Sequence, residues 1–297
     1  MSAPNLVPNL VSIADPPTRP LAGLDWSARL EALRQDLARH SRVVVAYSGG
    51  VDSSVVLRVA HEVLGDRARA VIGRSDSYAE HELALALAQA AEFGAQVEVV
   101  TTGELSNPLF ASNPTDRCYH CKSELYRQLD AVAVRIGADA VLDGTITEDL
   151  ADWRPGRRAA AEHAVRSPLA ELGFAKADVR AVAGHYGLSS SDKPASPCLA
   201  SRIPYGIVIT RENLSQVERS EAILRAAGFR QLRVRHHGDV ARIEVALDEL
   251  PRLLQAELRQ RLVADILALG YRFVAVDLEG FRSGNLNRGL SETAMPR

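Results

Sequence analysis

Between Arg42 and Asp143, short apolar runs alternate with stretches of helical spacing, and this alternation constrains the fold more than any other feature. Arg42–Tyr47 (RVVVAY), Ala68–Ile72, Gln96–Thr101 and Ala138–Asp143 read as strands. Helices are expected over Ser53–Leu64, Tyr78–Phe93 and Cys121–Ile136. Strands that stay apolar along their length must be covered on both faces, which is the situation of a parallel sheet flanked by helices. An amphipathic helix over 25–39 precedes them, with Trp26, Leu30, Leu33 and Leu37 on one side. The expected fold class is therefore α/β. Ligands of such sheets bind beyond the carboxyl ends of the strands.

Further along, the pattern loosens. Thr145–Tyr205 carries Pro155, Pro168, Pro194, Pro197 and Pro204, with one helix over Lys176–Tyr186. Long polar loops pinned by proline are often functional in compact domains. After Gly206 the order becomes helix (Leu214–Ala227), two strands (Gln231–His236, Val240–Ala246), helix (Leu250–Leu269) and strand (Arg272–Asp277). We expect a loose tail over 1–22, the parallel α/β domain over 23–206 and a smaller α+β domain over 207–297 for substrate binding or oligomerisation. The tail holds five of the 14 prolines, which fix their own dihedral and lack a donor.

Composition excludes several classes. The chain has 297 residues, with 35 basic against 37 acidic side chains, a formal net charge of −2. A general nucleic-acid binder would carry a basic excess, so no nucleic-acid partner is expected. No apolar run approaches the length of a membrane span, and no basic region followed by an apolar run opens the chain. Three cysteines, an odd number, make a disulfide framework unsuitable. A cytoplasmic protein with reduced thiols is the expectation.

The first strand runs directly into Ser48-Gly49-Gly50-Val51-Asp52-Ser53-Ser54 and then a helix. Adjacent glycines let the backbone turn sharply and bring N–H groups to an anion. The helix start adds its partial positive charge, and serine hydroxyls add donors. The string reads as a pyrophosphate cradle. It lacks the Gly-Lys-Ser/Thr ending of a Walker loop. An ordinary glycine turn, with Asp52 or Ser53 capping the helix, is the bland alternative.

Cys118-Tyr119-His120-Cys121 is a C-x-x-C, and Cys198 is the third cysteine. Spacing alone leaves four readings open: a redox pair, a zinc site recruiting a histidine, three ligands of a four-iron cluster, or three unrelated buried cysteines. Arg233 and Arg235 alternate, so they share one face of their strand, and paired guanidinium groups suit a phosphate. A solvated strand face is the alternative. His236 and His237 are adjacent, point to opposite faces and read as structural.

These pieces occur in one order. The phosphate loop is followed by Arg117-Cys118-Tyr119-His120-Cys121-Lys122, then Asp143-Gly144-Thr145 and Glu148–Gly156. Ser167-Pro168-Leu169 comes next, and then Lys193–Gly206, which contains Cys-Leu-Ala-Ser-Arg-Ile-Pro-Tyr-Gly. The series resembles the LarE family of ATP-dependent sulfur transferases, within the ATP pyrophosphatase superfamily, from about Trp26 to Asn287. The resemblance implies adenylation of the carboxylates of a pyridinium biscarboxylic acid mononucleotide and their conversion to thiocarboxylates for a nickel-pincer cofactor. It implies ATP bound by Ser48, Gly49, Gly50, Val51, Asp52 and Ser53, with Asp52 catalytic and holding Mg²⁺. Arg202, Arg233, Arg235 and Arg282 are implied on the substrate side, and Glu244 as a second magnesium-related carboxylate. Cys198 matches the sulfur-donating cysteine of the family. With Cys118 and Cys121 it fits the three-cysteine type, which delivers sulfur through a [4Fe-4S] cluster. Trp153 and Arg154 either contact adenine or substrate or serve packing, and Asp149 and Asp152 read as either functional or capping. The implied partners are a small-molecule nucleotide, a sulfur donor and further copies of the chain. A tRNA thiolase with an iron–sulfur cluster is the rival reading. It would need the basic surface that this composition lacks.

Overall fold

The computed structural model describes residues 25–151, 155–194, 196–282 and 285–286. The expected tail, Asp152, Trp153 and Arg154 lie outside them. The chain divides into two compact units. One comprises residues up to Arg74, Glu80–Thr102 and Cys118–Ser196; the other comprises Ser75–Ala79, Gly103–Arg117 and Pro197 onward.

The first unit is the parallel α/β layer that the alternation predicts. Its strands are β1 (Val43–Ala46), β2 (Ala68–Arg74), β3 (Val97–Thr101) and β4 (Ala140–Leu142), in the order β3-β2-β1-β4. Every pairing is parallel, with Val43 opposite Ala68 on one side and Ala140 on the other. Val43, Val44 and Val45 are fully buried, as continuous apolar strands require when helices cover both faces. The chain passes outward from β1 to β2 and β3, then returns to the far side of β1 as β4. This reversal opens a crevice between β1 and β4 at their carboxyl ends. The loops entering that crevice are Ser48–Gly50 and Asp143–Thr145.

Most helices stand where periodicity puts them: Trp26–Leu37, Val51–Leu64, Glu80–Glu92 and Lys176–His185. One difference matters for chemistry. The helix expected from Cys121 starts at Arg117 and runs to Ile136. The Arg117 N–H donates to the Pro114 carbonyl at 3.1 Å, so the turn closes one step ahead of the C-x-x-C. Cys118 and Cys121 therefore both lie near the start of this helix, about one turn apart and on the same side. The segment after β4 holds short helices over Thr147–Ala151, Gly156–Glu162 and Pro168–Glu171.

In the second unit β5 (Leu232–His237) and β6 (Val240–Val245) form an antiparallel hairpin, and β7 (Phe273–Val276) pairs with β6 in parallel. Gly238, with φ +61°, makes the tight hairpin turn that a side chain would strain. The helix expected over 250–269 is divided into Leu250–Leu253 and Ala256–Leu267. Leu232, Val234, Ala241, Ile243 and Val245 form one face of the hairpin and pack in a core with Leu224, Phe229, Leu262, Ile266 and Tyr271. Period-two geometry then puts Arg233, Arg235, Arg242 and Glu244 on the opposite face.

Candidate functional site

In the first unit the loop after β1 is held by its own backbone. Gly49 has φ +65°, and a Cβ there would meet the Ala86 Cβ at 2.6 Å. Gly50 precedes the helix Val51–Leu64 with no side-chain cap. Asp52 and Ser53 therefore do not cap this helix. Ser53 Oγ accepts from the Ser48 N–H at 3.2 Å and donates to the Gly50 carbonyl at 3.1 Å, which closes the turn. Ser54 Oγ lies 2.8 Å from the Gly50 carbonyl and 2.6 Å from Gln89 Oε1. The Tyr47 hydroxyl is 2.8 Å from the same Gln89 oxygen and 3.0 Å from the Ala86 carbonyl. Burial pushes this phenol up to about 12, so it serves as a neutral strut. The result is a rigid loop leading into a helix whose first-turn N–H groups have no partner within the helix.

The neighbouring loop touches it without room to spare. A Cβ on Gly144 would stand 2.5 Å from the Ser53 nitrogen, so only glycine permits this approach. Beside it Asp143 is buried and accepts from the Thr145 N–H at 3.0 Å, Thr145 Oγ1 at 2.8 Å and Ser167 Oγ at 2.7 Å. Lys122, on the C-x-x-C helix, has its ammonium stabilised first by Tyr126, against the effect of burial, then by Asp143 and the two cysteines, and its pKa is raised.

Two lysines that sequence reasoning did not assign stand at the loop. Lys176 Nζ donates to both oxygens of Asp52, at 2.7 and 2.8 Å. Lys193 Nζ reaches the Gly49 carbonyl at 3.3 Å and pairs with Glu82 at 2.7 Å. Burial would raise the Glu82 carboxyl, but His81, Lys193 and Ser196 hold it well below the usual range. Lys193 opens the string that carried the resemblance. Lys176 had no signal beyond its place at a helix start, because its partner lies 124 residues away.

The polar face of the β5–β6 hairpin forms a second constellation, wholly within the second unit. A cavity of about 500 Å³ is lined there by Arg202, Arg235, His237, Arg242, Asp277 and Asn285, among others. Glu244, fully buried, accepts from Arg235 at 2.9 Å, Arg242 at 3.1 Å and Asn285 at 2.8 Å. A metal ion at Glu244 would have to displace these donors. Arg235 also donates to the Ser201 carbonyl at 2.9 Å, while its Nε and that of Arg242 are buried with no protein acceptor. Arg233 stacks over Phe281, with its guanidinium 5.1 Å from the ring centre. Burial, then the charge of Arg202, lower its pKa to about 10. Arg282 is half exposed and pairs with Glu279 at 3.3 Å. The structure thus brings Arg202 and Arg235 to one cavity, together with Arg242, which the sequence did not single out, and His237, which it read as structural. Arg233 and Arg282 are not among the residues lining it.

None of the cysteines is in a disulfide; Cys118 is exposed, and Cys121 and Cys198 are half-buried. Cys118 and Cys121 belong to the first unit and Cys198 to the second. Cys198 is the residue before a short 3₁₀ turn, Leu199–Arg202. Among the described residues no group of three or more His, Cys, Asp or Glu side chains is gathered as a metal site. No helix among the described residues is long and apolar enough to cross a membrane. Asp149 accepts from the Ile146 N–H at 3.2 Å, the capping role considered for it.

Comparison with known proteins places these features in context. Residues 26–116 match the NAD synthase family, which covers the phosphate loop and the first three strands. An uncharacterised protein of Synechocystis is 45% identical over 89% of this chain and 99% of its own length. The pyridinium-3,5-bisthiocarboxylic acid mononucleotide synthase of Lactiplantibacillus plantarum is 40% identical over 90% of this chain and 96% of its own length. A tRNA-specific 2-thiouridylase of Xanthobacter autotrophicus is 32% identical over 58% of this chain and 54% of its own length.

Proposed function

Because the chain belongs to the LarE family of ATP-dependent sulfur transferases, we propose that it converts the carboxylates of a pyridinium biscarboxylic acid mononucleotide to thiocarboxylates, forming AMP and pyrophosphate. The observation that carries this reading is the extent of the likeness to the Lactiplantibacillus synthase, 96% of that enzyme's length. It spans both the phosphate loop and the arginine-lined cavity. Likeness to the tRNA thiouridylase stops at 54% of that protein.

Carboxylate oxygen is a poor leaving group. Attack of a substrate carboxylate oxygen on the α-phosphorus of ATP forms an acyl adenylate and expels pyrophosphate. The Ser48 hydroxyl, the amides of Gly49 and Gly50 and those of the helix start through Ser53 are suited to the charge that collects on pyrophosphate. The rigidity of the Gly49 turn means that these donors need not reorganise as the charge develops. Asp52, whose two oxygens accept from Lys176, is the carboxylate suited to hold Mg²⁺, which would neutralise phosphate charge there. Arg235 and Arg242, each with a buried N–H that finds no protein acceptor, are suited to the phosphate of the mononucleotide. Arg233 and Arg282 add positive charge near that strand.

A sulfur nucleophile then attacks the activated carbonyl, and AMP leaves with the bonding electrons. In number and softness the three cysteines match the ligand set of a [4Fe-4S] cluster with one iron open, which would supply sulfide when bound. The second reading keeps only Cys198, whose sulfur would be consumed to leave dehydroalanine. Iron and sulfide analysis after anaerobic purification separates the two, since the cluster reading expects about four irons per chain. A dedicated sulfur donor, a homo-oligomeric state and a cytoplasmic setting complete the proposal.

The deciding experiment is product analysis with ATP, magnesium and the mononucleotide. AMP and pyrophosphate are expected; ADP and inorganic phosphate would overturn adenylation.

A further inference from the structure

Arg202 is charged, 3% exposed and adjacent to a cavity suited to phosphate, yet nearly all its donors are already used. Nε and Nη2 donate to the two oxygens of Glu221 at 2.9 and 3.2 Å. Nη1 faces the carbonyls of Pro197 and Cys198 and the Ser201 hydroxyl. A guanidinium has five N–H groups, so at most one remains for a ligand. Glu221 is fully buried and is held from other sides by the Val234 N–H at 3.2 Å and by Arg225 at 3.4 Å. The fork of Arg202 thus joins the floor of the helix Arg211–Ala226 to the backbone on both sides of the Cys198 Cα.

We propose that Arg202, seated on Glu221, is a positioning residue that fixes the Cys198 thiol for sulfur transfer, and is not a ligand of the substrate phosphate. This rests on the sulfur-transferase reading, but it holds whether Cys198 gives up its own sulfur or ligates a cluster, because either role needs the sulfur at a set place. A backbone carbonyl on each side of the residue is the right handle. Two such anchors fix the Cα–Cβ direction, while substrate contact would require donors aimed away from the protein. A lysine has the charge but not the planar fork, so it cannot serve Glu221 and two carbonyls together.

The test compares wild type with Arg202→Lys, and with Glu221→Gln as a second variant that leaves the arginine present but weakens its seat. Three quantities are measured: pyrophosphate release, thiocarboxylate formation, and the rate of Cys198 alkylation by iodoacetamide, read by peptide mass spectrometry. The expected result is that thiocarboxylate formation falls at least tenfold in both variants and Cys198 alkylation changes at least threefold. Pyrophosphate release and the KM for the mononucleotide are expected to shift by less than threefold. A phosphate-ligand role is indicated, and the proposal overturned, if Arg202→Lys raises that KM tenfold with Cys198 alkylation unchanged. Unchanged alkylation in both variants overturns it as well. Wild-type protein that releases no pyrophosphate would count against the sulfur-transferase reading, and the alkylation arm would still decide the role of Arg202.

Discussion

The phosphate loop and the arginine cavity are two ways of building an anion site. The loop spends almost no charged side chains. Gly49 and Gly144 allow backbone to approach backbone, and the helix start supplies the field. The cavity does the reverse. Arg235 and Arg242 come from two strands and share one buried carboxylate, Glu244. The loop is written in one stretch of seven residues, so its geometry follows from local steric rules. The cavity exists only after the hairpin and two loops have met, because unpaired arginines could not be buried at tolerable cost. A backbone site therefore tolerates almost no change in shape, whereas a side-chain site tolerates truncation at graded cost.

The sharpest way to break this contrast is at Gly49. Gly49→Ala puts a Cβ 2.6 Å from the Ala86 Cβ at a positive φ, and neither can give way without moving a helix. Pyrophosphate release is expected to fall by more than about a hundredfold, the scale of losing preorganised electrostatic stabilisation. Near-normal turnover would mean that the loop is more compliant than its packing indicates.

Asp52→Ala comes next, with a loss of about a hundredfold in the same assay. Here the ATP concentration dependence matters, since a change confined to KM would assign Asp52 to ground-state binding.

On the cavity side the expected effect is smaller and selective. Arg235→Ala should weaken mononucleotide binding by roughly ten- to a hundredfold, the loss of about 1.5–3 kcal/mol for a charge-assisted hydrogen bond. ATP binding should change little. Equal losses for both ligands, measured by calorimetry, would show that the strand serves folding or ATP instead.

The smallest effect is on acid stability. Burial would raise the Glu221 carboxyl, yet the charge and hydrogen bonds of Arg202, then Arg233 and the Val234 N–H, leave it below its ordinary 4.5. A depressed carboxylate contributes stability that is complete above the unfolded value and fades as pH falls through the lower folded one. Thermal unfolding from pH 7 to pH 3 should therefore show a downward step below about pH 4.5 that Glu221→Gln reduces. An identical pH profile in the variant would remove Glu221 from the acid response.

What the sequence determined by itself was whatever repeats locally. The valine run of β1, the glycine pair after it and the 3.6-residue spacing of the helices each express a rule that acts within a few residues. The α/β class and the phosphate loop follow from them. The β5–β6 alternation likewise put Arg233 and Arg235 on one face. Tertiary structure alone decided which arginines share a cavity, because neither Arg242 nor Glu244 signals a partner until the strands are in register. It decided that Lys176 grips Asp52 across 124 residues of chain. It also decided that Arg202 spends its donors on Glu221 and on the carbonyls around Cys198. Charge acts through space, and its partners can be read only once the chain has brought them within hydrogen-bonding distance.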